Sequence, residues 1–183
     1  MTDDRPACHG LISVVVDRTE GGTSNPLHTE TPKPMTRRQG NMFDEYEKAD
    51  LFCVTANSYV RDDGALTMGA GAAKQLRVWM RPQPYAGRLG SFVEMECGHL
   101  GVYGLLEADG RIALFQTKTH WKQKARLEVI GKSAMQLIKW TAKHPRGTVY
   151  LNYPGIGCGG LQKSRVRPII EELPDTVHVW TRE

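Results

Sequence analysis

The sequence predicts an α/β layered fold, because from Met35 onward apolar stretches of strand length alternate with stretches of helical period. Two segments weigh most. Leu51 to Ala56 (Leu-Phe-Cys-Val-Thr-Ala) is a nearly continuous apolar run, as a strand covered on both faces requires. Leu127, Ile130, Ala134, Leu137, Ile138 and Thr141 recur at helical spacing, so a helix over 124–143 lays one face on a sheet.

The first 34 residues hold Pro6, Pro26, Pro32 and Pro34 and the polar run Gly21 to Asn25, the composition of a flexible or loosely attached extension. The domain is expected over 35–183. Leu11 to Val16 is rich in β-branched residues and is a candidate strand, provided it finds an edge to pair with. After Asn57 a Gly-rich turn leads into the helix formers of Ala70 to Met80, which Arg81-Pro82 should stop. Val102 to Leu106 and Ile112 to Gln116 flank Asp109-Gly110 and read as a hairpin. Pro145 closes the long helix. Val149 to Tyr153 is the next strand, Gly155 to Gly160 a glycine-rich turn, Val166 to Leu173 a helix and Val177 to Trp180 a terminal strand.

The chain has 183 residues, one domain's worth, and 40% hydrophobic with 24% charged residues is ordinary for a globular protein. Collagen-like, wholly disordered and disulfide-scaffold classes are excluded. The apolar runs fall far short of the ~18 residues of a membrane span, and the acidic start Met-Thr-Asp-Asp-Arg is unlike a secretory signal. Cys8, Cys53, Cys97 and Cys158 show no Cys-x-x-Cys spacing, so a reducing, cytoplasmic setting, no metal and no cofactor are expected. The net charge is +4, but the first 34 residues carry five acidic against three basic residues, which leaves +6 for the rest. Between Lys118 and Arg146 eight basic residues face one acidic one.

Two glycine loops stand out, Met68-Gly69-Ala70-Gly71-Ala72-Ala73 and Gly155-Ile156-Gly157-Cys158-Gly159-Gly160. Glycine lets backbone N–H groups approach an anion closely, and a following helix offers unpaired donors, so each is either a phosphate cradle or a tight turn. Two together favour a diphosphate site. The second loop matches G-x-G-x-x-G, yet Asp175 precedes the next strand instead of ending it, and a dinucleotide-binding βαβ unit fails on that geometry. Walker A, G-x-S-x-G and zinc-ligand spacings are absent.

Gly40-Asn41-Met42-Phe43, Asp50 to Asn57, Met68 to Ala73 and Pro154-Gly-Ile-Gly-Cys-Gly-Gly-Leu161, in that order, resemble the macro domain family over about residues 35 to 180. With Gln116-Thr117-Lys118 they look most like the branch of terminal ADP-ribose protein glycohydrolase and the DNA ADP-ribosylglycohydrolase antitoxins, and phage and bacterial stand-alone macro domains are similar. The resemblance implies a three-layer α/β/α sandwich with a mixed central sheet and an ADP-ribose cleft at the strand ends. Asn41, with Met42, matches the adenine contact, where the family more often has Asp. Asn57 matches a residue beside the distal ribose. Met68, Gly69, Ala70 and Gly71 would wrap the diphosphate from one side, and Gly155, Ile156, Gly157, Cys158, Gly159 and Gly160 from the other.

Lys118 matches the lysine that attacks the anomeric carbon of the distal ribose in that branch, a reaction that needs a neutral amine and hence a lowered pKa. The branch also carries an acidic residue soon after the Gly-Cys-Gly loop. Here no Asp or Glu occurs until Glu171, and His120 is the candidate substitute for proton transfer. At Cys158 a small side chain tolerating close approach is a simpler reading than a nucleophile. The function implied is an ADP-ribosyl hydrolase acting on protein or DNA, with a non-catalytic ADP-ribose reader and an ADP-ribose 1''-phosphate phosphatase as alternatives. A monomer is expected. Lys132, Gln136, Lys139 and Lys143 share a helical face, which is either solvated surface or a track for a nucleic-acid backbone.

Overall fold

The structure is a computed structural model that describes residues 33–80, 85–108 and 110–182, all within one unit, Pro32–Glu183. The candidate strand Leu11 to Val16, nearly all of the extension, the Arg81-Pro82 stop and Asp109 lie outside the described residues.

Six strands form one sheet: β1 (Thr36–Gln39), β2 (Leu51–Ala56), β3 (Leu105–Glu107), β4 (Ile112–Gln116), β5 (Val149–Asn152) and β6 (Val177–Thr181). Their order is β1-β6-β5-β2-β4-β3, parallel at each pairing except the antiparallel β3–β4 edge. The apolar run of β2 therefore sits between β5 and β4, where both faces are covered. Its side chains alternate between two cores: Phe52 and Val54 pack with Leu76, Leu89, Val93 and Leu114, whereas Leu51 and Cys53 pack with Ile130, Leu137, Leu151 and Ile170. A strand's period of two thus assigns one sequence to two layers. Helices α1 (Gly71–Trp79) and α2 (Tyr85–Cys97) supply the first core, and α3 (Leu127–Lys143) and α4 (Lys163–Ile170) the second, which makes the expected α/β/α sandwich.

Boundaries shift where polar residues carry the element. α4 begins at Lys163, before the expected Val166, because Lys163–Arg165 turn to solvent while Val166 and Ile170 are buried. The first hairpin strand starts at Leu105 instead of Val102. There Lys132 Nζ donates to Val102 O (2.6 Å) and Gln136 Oε1 accepts from Leu105 N–H, so α3 side chains replace a strand partner at this edge. Three elements lie outside the expectation. These are β1, a polar edge strand whose ladder partner is β6; a 3-10 helix over Met42–Lys48; and α2, whose glycines mask its helical period.

Candidate functional site

The strand ends and the loops that follow them enclose a cleft of about 500 Å³. Its floor is the carboxyl end of β2 and β5. Thr55 N–H donates to Asn152 Oδ1 (2.9 Å) and Asn152 Nδ2 to Thr55 Oγ1 (2.7 Å), a reciprocal pair that closes the ladder where the backbones diverge. In an open parallel sheet this end is where ligands bind.

The two glycine loops face each other across that floor. Gly71, the first residue of α1, has φ +57°, and Gly157 has φ +58°; a Cβ at either would meet nothing within 4 Å. Both therefore present bare backbone to the cleft. Gly155 (φ +73°) has a different task, since a Cβ there would lie 2.7 Å from Ile130 Cδ1. Ala70 caps α1 with extended backbone and no side-chain hydrogen bond, so the first amides of that helix are left for a ligand. The second loop tightens into a 3-10 turn over Gly157–Gly159 and is tied to the neighbouring segment by Ala125 N–H donating to Gly159 O (2.8 Å).

Lys118 stands beyond β4 on the same wall. Its Nζ donates to the carbonyls of Trp121 (3.2 Å), Gln123 (3.0 Å) and Cys158 (3.1 Å), so it clasps the second glycine loop. Burial holds its pKa below the ordinary lysine value, with Cys158 acting weakly the other way. Beneath it, buried Gln116 anchors the chain: Nε2 donates to Ser58 Oγ (3.1 Å) and Gly101 O (2.9 Å), and Oε1 accepts from Gly104 N–H (3.0 Å). The charged side chains lining the cleft are Lys118 and Arg182, both cationic, and among the described residues no carboxylate joins them. Such a site suits a polyanion with a backbone-held diphosphate.

The remaining end is aromatic and amide-rich. Phe43 and Trp180 line it, with Asn41, Gln75 and Arg182 at its edge. Gln75 Nε2 donates to Asn41 Oδ1 (2.7 Å), Arg182 Nη2 donates to Asn41 Oδ1 (3.1 Å) and to Gln75 Oε1, and Asn41 Nδ2 donates to Asp44 Oδ1 (2.7 Å).

No protein-family model and no curated protein sequence matches the chain. Solved structures do. It is similar to Thermosipho africanus DarTG in complex with ADP-ribose at 20% identity and a TM-score of 0.57, covering 81% of this chain and 42% of that one. It is similar to the macrodomain of Thermus aquaticus DarG at 22% identity and 0.57, covering 81% and 97%, and to that of Mycobacterium tuberculosis DarG at 22% and 0.56, covering 81% and 98%. The chain has the macrodomain fold.

Most of the residues expected at a macrodomain cleft line this one: Asn41, Met42, Asn57, Gly69, Ala70, Gly71, Gly155, Ile156, Gly157, Cys158, Gly159 and Lys118. Two of the expected ligand-binding residues do not. Met68 is 2% exposed and faces the first core, because the backbone turns its side chain inward just before the loop opens. Gly160 (φ +70°) turns its α-carbon toward Lys124 and serves to exit the loop. Asn57 lines the cleft with its amide already used, Nδ2 donating to Thr67 O (2.9 Å) and Oδ1 accepting from Tyr59 N–H (2.9 Å). His120 does not line the macrodomain cleft either. Its ring packs edge-on to Tyr59 (4.6 Å) and stacks on Trp121 (5.7 Å), and Nδ1 accepts from Lys122 N–H (3.0 Å), which leaves the exchangeable proton on Nε2. Sequence reasoning missed Gln75, Trp121, Asn152, Trp180 and Arg182. Only Asn152, a polar residue ending a buried strand as Asn57 follows another, left a signal of its own.

Proposed function

We propose that the cleft binds ADP-ribose and that the protein hydrolyses the ADP-ribosyl linkage on a macromolecule, protein or DNA, with Lys118 as nucleophile. The observation that carries this reading is the placement of Lys118. Its amine is drawn to the Cys158 carbonyl, inside the glycine loop that would hold the distal phosphate, and burial favours its neutral form. The ADP-ribose in the similar Thermosipho africanus structure supports the ligand.

For Lys118 to react, it must first give up one proton. A neutral amine keeps two N–H donors and gains a lone pair, so one of the three carbonyl contacts is released as the nucleophile appears. The lone pair then forms a bond to the anomeric carbon while the bond from that carbon to the macromolecule breaks, and the leaving atom takes a proton. Water later cleaves the sugar from lysine. The proton for the leaving atom comes from solvent at the cleft mouth, because His120 lies outside the cleft lining and, with Nδ1 accepting from Lys122 N–H, holds only an Nε2 proton whose loss would leave an imidazolate. A non-catalytic reader is the second reading, and the absence of a carboxylate among the described lining residues favours it. Calorimetry with ADP-ribose, paired with release assays on ADP-ribosylated protein and on ADP-ribosylated single-stranded DNA, separates the two. Binding without release from either substrate leaves the reader.

A further inference from the structure

We propose that the base end of the cleft reads hydrogen-bond acceptors on the purine edge through Asn41, Gln75 and Arg182, and therefore accepts a 6-oxopurine about as well as a 6-aminopurine, or better. The inference rests on the cleft being a nucleoside diphosphate ribose site. Phe43 and Trp180 give this end the aromatic walls a flat heterocycle needs. The polar edge decides which heterocycle fits.

The orientation of Asn41 is fixed from both sides. Arg182 has only donors and the Asp44 carboxylate only acceptors, so Oδ1 must face Arg182 and Nδ2 must face Asp44. Oδ1 accepts from both Gln75 and Arg182, and its two lone pairs are filled. Gln75 Oε1 also accepts from Arg182. With respect to the described residues, what remains to meet a ligand is a second N–H on Asn41 Nδ2, a second N–H on Gln75 Nε2, the Nε and Nη1 hydrogens of Arg182, and one lone pair on Gln75 Oε1. This edge is donor-rich, and Asp44 does not line the cleft.

Adenine presents acceptors at its ring nitrogens and a donor at its exocyclic amine, whereas a 6-oxopurine presents an acceptor at both N7 and O6. Guanidinium and amide donors match the second pattern. An exocyclic amine would find no carboxylate, an already filled Asn41 oxygen and a single lone pair on Gln75 Oε1, against the several donors open to the oxo group.

The test is calorimetry on the intact chain with ADP-ribose and with its hypoxanthine counterpart, which differs by one exocyclic group. The expected result is a Kd for the hypoxanthine compound no more than threefold above that for ADP-ribose; a larger gap in favour of adenine overturns the proposal. Asn41→Asp makes the edge an acceptor and is expected to move the ratio about tenfold toward adenine, the discrimination one good base contact supplies. An unchanged ratio in that variant also overturns it. Binding of neither compound refutes the cleft as a nucleoside diphosphate ribose site, and this inference with it.

Discussion

The proposed chemistry rests on one side chain, Lys118, whose position makes two predictions. Replacing it with alanine removes the amine but leaves both glycine loops, so ADP-ribose affinity by calorimetry should stay within about threefold while release falls at least about 100-fold, the scale of a lost reactive group. Turnover unchanged in that variant would discard the lysine mechanism. The second concerns pH. Burial lowers the amine's pKa below the ordinary lysine value of 10.5, so the charged form is disfavoured by folding. The reactive neutral fraction then grows as pH rises through the lowered value, and kcat/KM should climb along a limb whose midpoint lies below 10.5. Linkage has the same sign. The protonated amine weighs against the folded state at low pH, and that weight fades as pH rises through the lowered value toward the unfolded one. A midpoint at or above the free-lysine value would show an amine unperturbed by its surroundings.

Within the second glycine loop, two neighbouring glycines should respond differently to the same change. Gly155→Ala places a Cβ against Ile130 in a left-handed backbone (φ +73°), combining ~1–2 kcal/mol of conformational strain with overpacking of ~1–3 kcal/mol. Gly157→Ala bears similar strain but projects into open cleft, where a ligand would sit. Thermal unfolding should therefore drop most for Gly155→Ala, and ADP-ribose affinity most for Gly157→Ala; the reverse order would place the diphosphate elsewhere. Both glycines are visible in the sequence, yet their division of labour is not, because it depends on Ile130 arriving from α3. The same limit governs the fold. β2 and α3 are legible because burial on two faces, or on one helical stripe, writes a period into the residues. β1 is not, since a polar edge strand owes its existence to β6, more than a hundred residues away. Nor are Gln75 and Arg182, which become site residues only when α1 and the end of β6 meet beside Asn41.

Across the whole molecule, charge is the property by which the proposed protein-borne and DNA-borne substrates would differ. α3 starts next to the Gly159 and Thr117 contacts of the cleft, through Ala125 and Arg126, and carries Lys139 and Lys143 exposed about 18 to 24 Å along its axis at 1.5 Å per residue. Lys132 on that face is partly committed, with its ammonium on Val102 O, and Arg126 is paired with Glu128. Exposed positive charge therefore runs from Lys122 and Lys124 beside the cleft to Lys139 and Lys143 at the far end of the helix. A single-stranded backbone leaving the distal ribose would run along it and release about 0.7 counterions per phosphate contact. Replacing both Lys139 and Lys143 with glutamate should then flatten the log affinity against log salt slope for ADP-ribosylated single-stranded DNA by about 1.4. Release from an ADP-ribosylated peptide, which has no such backbone, should not change. If the two substrates respond alike, the basic face is solvated surface and the cleft alone selects the substrate.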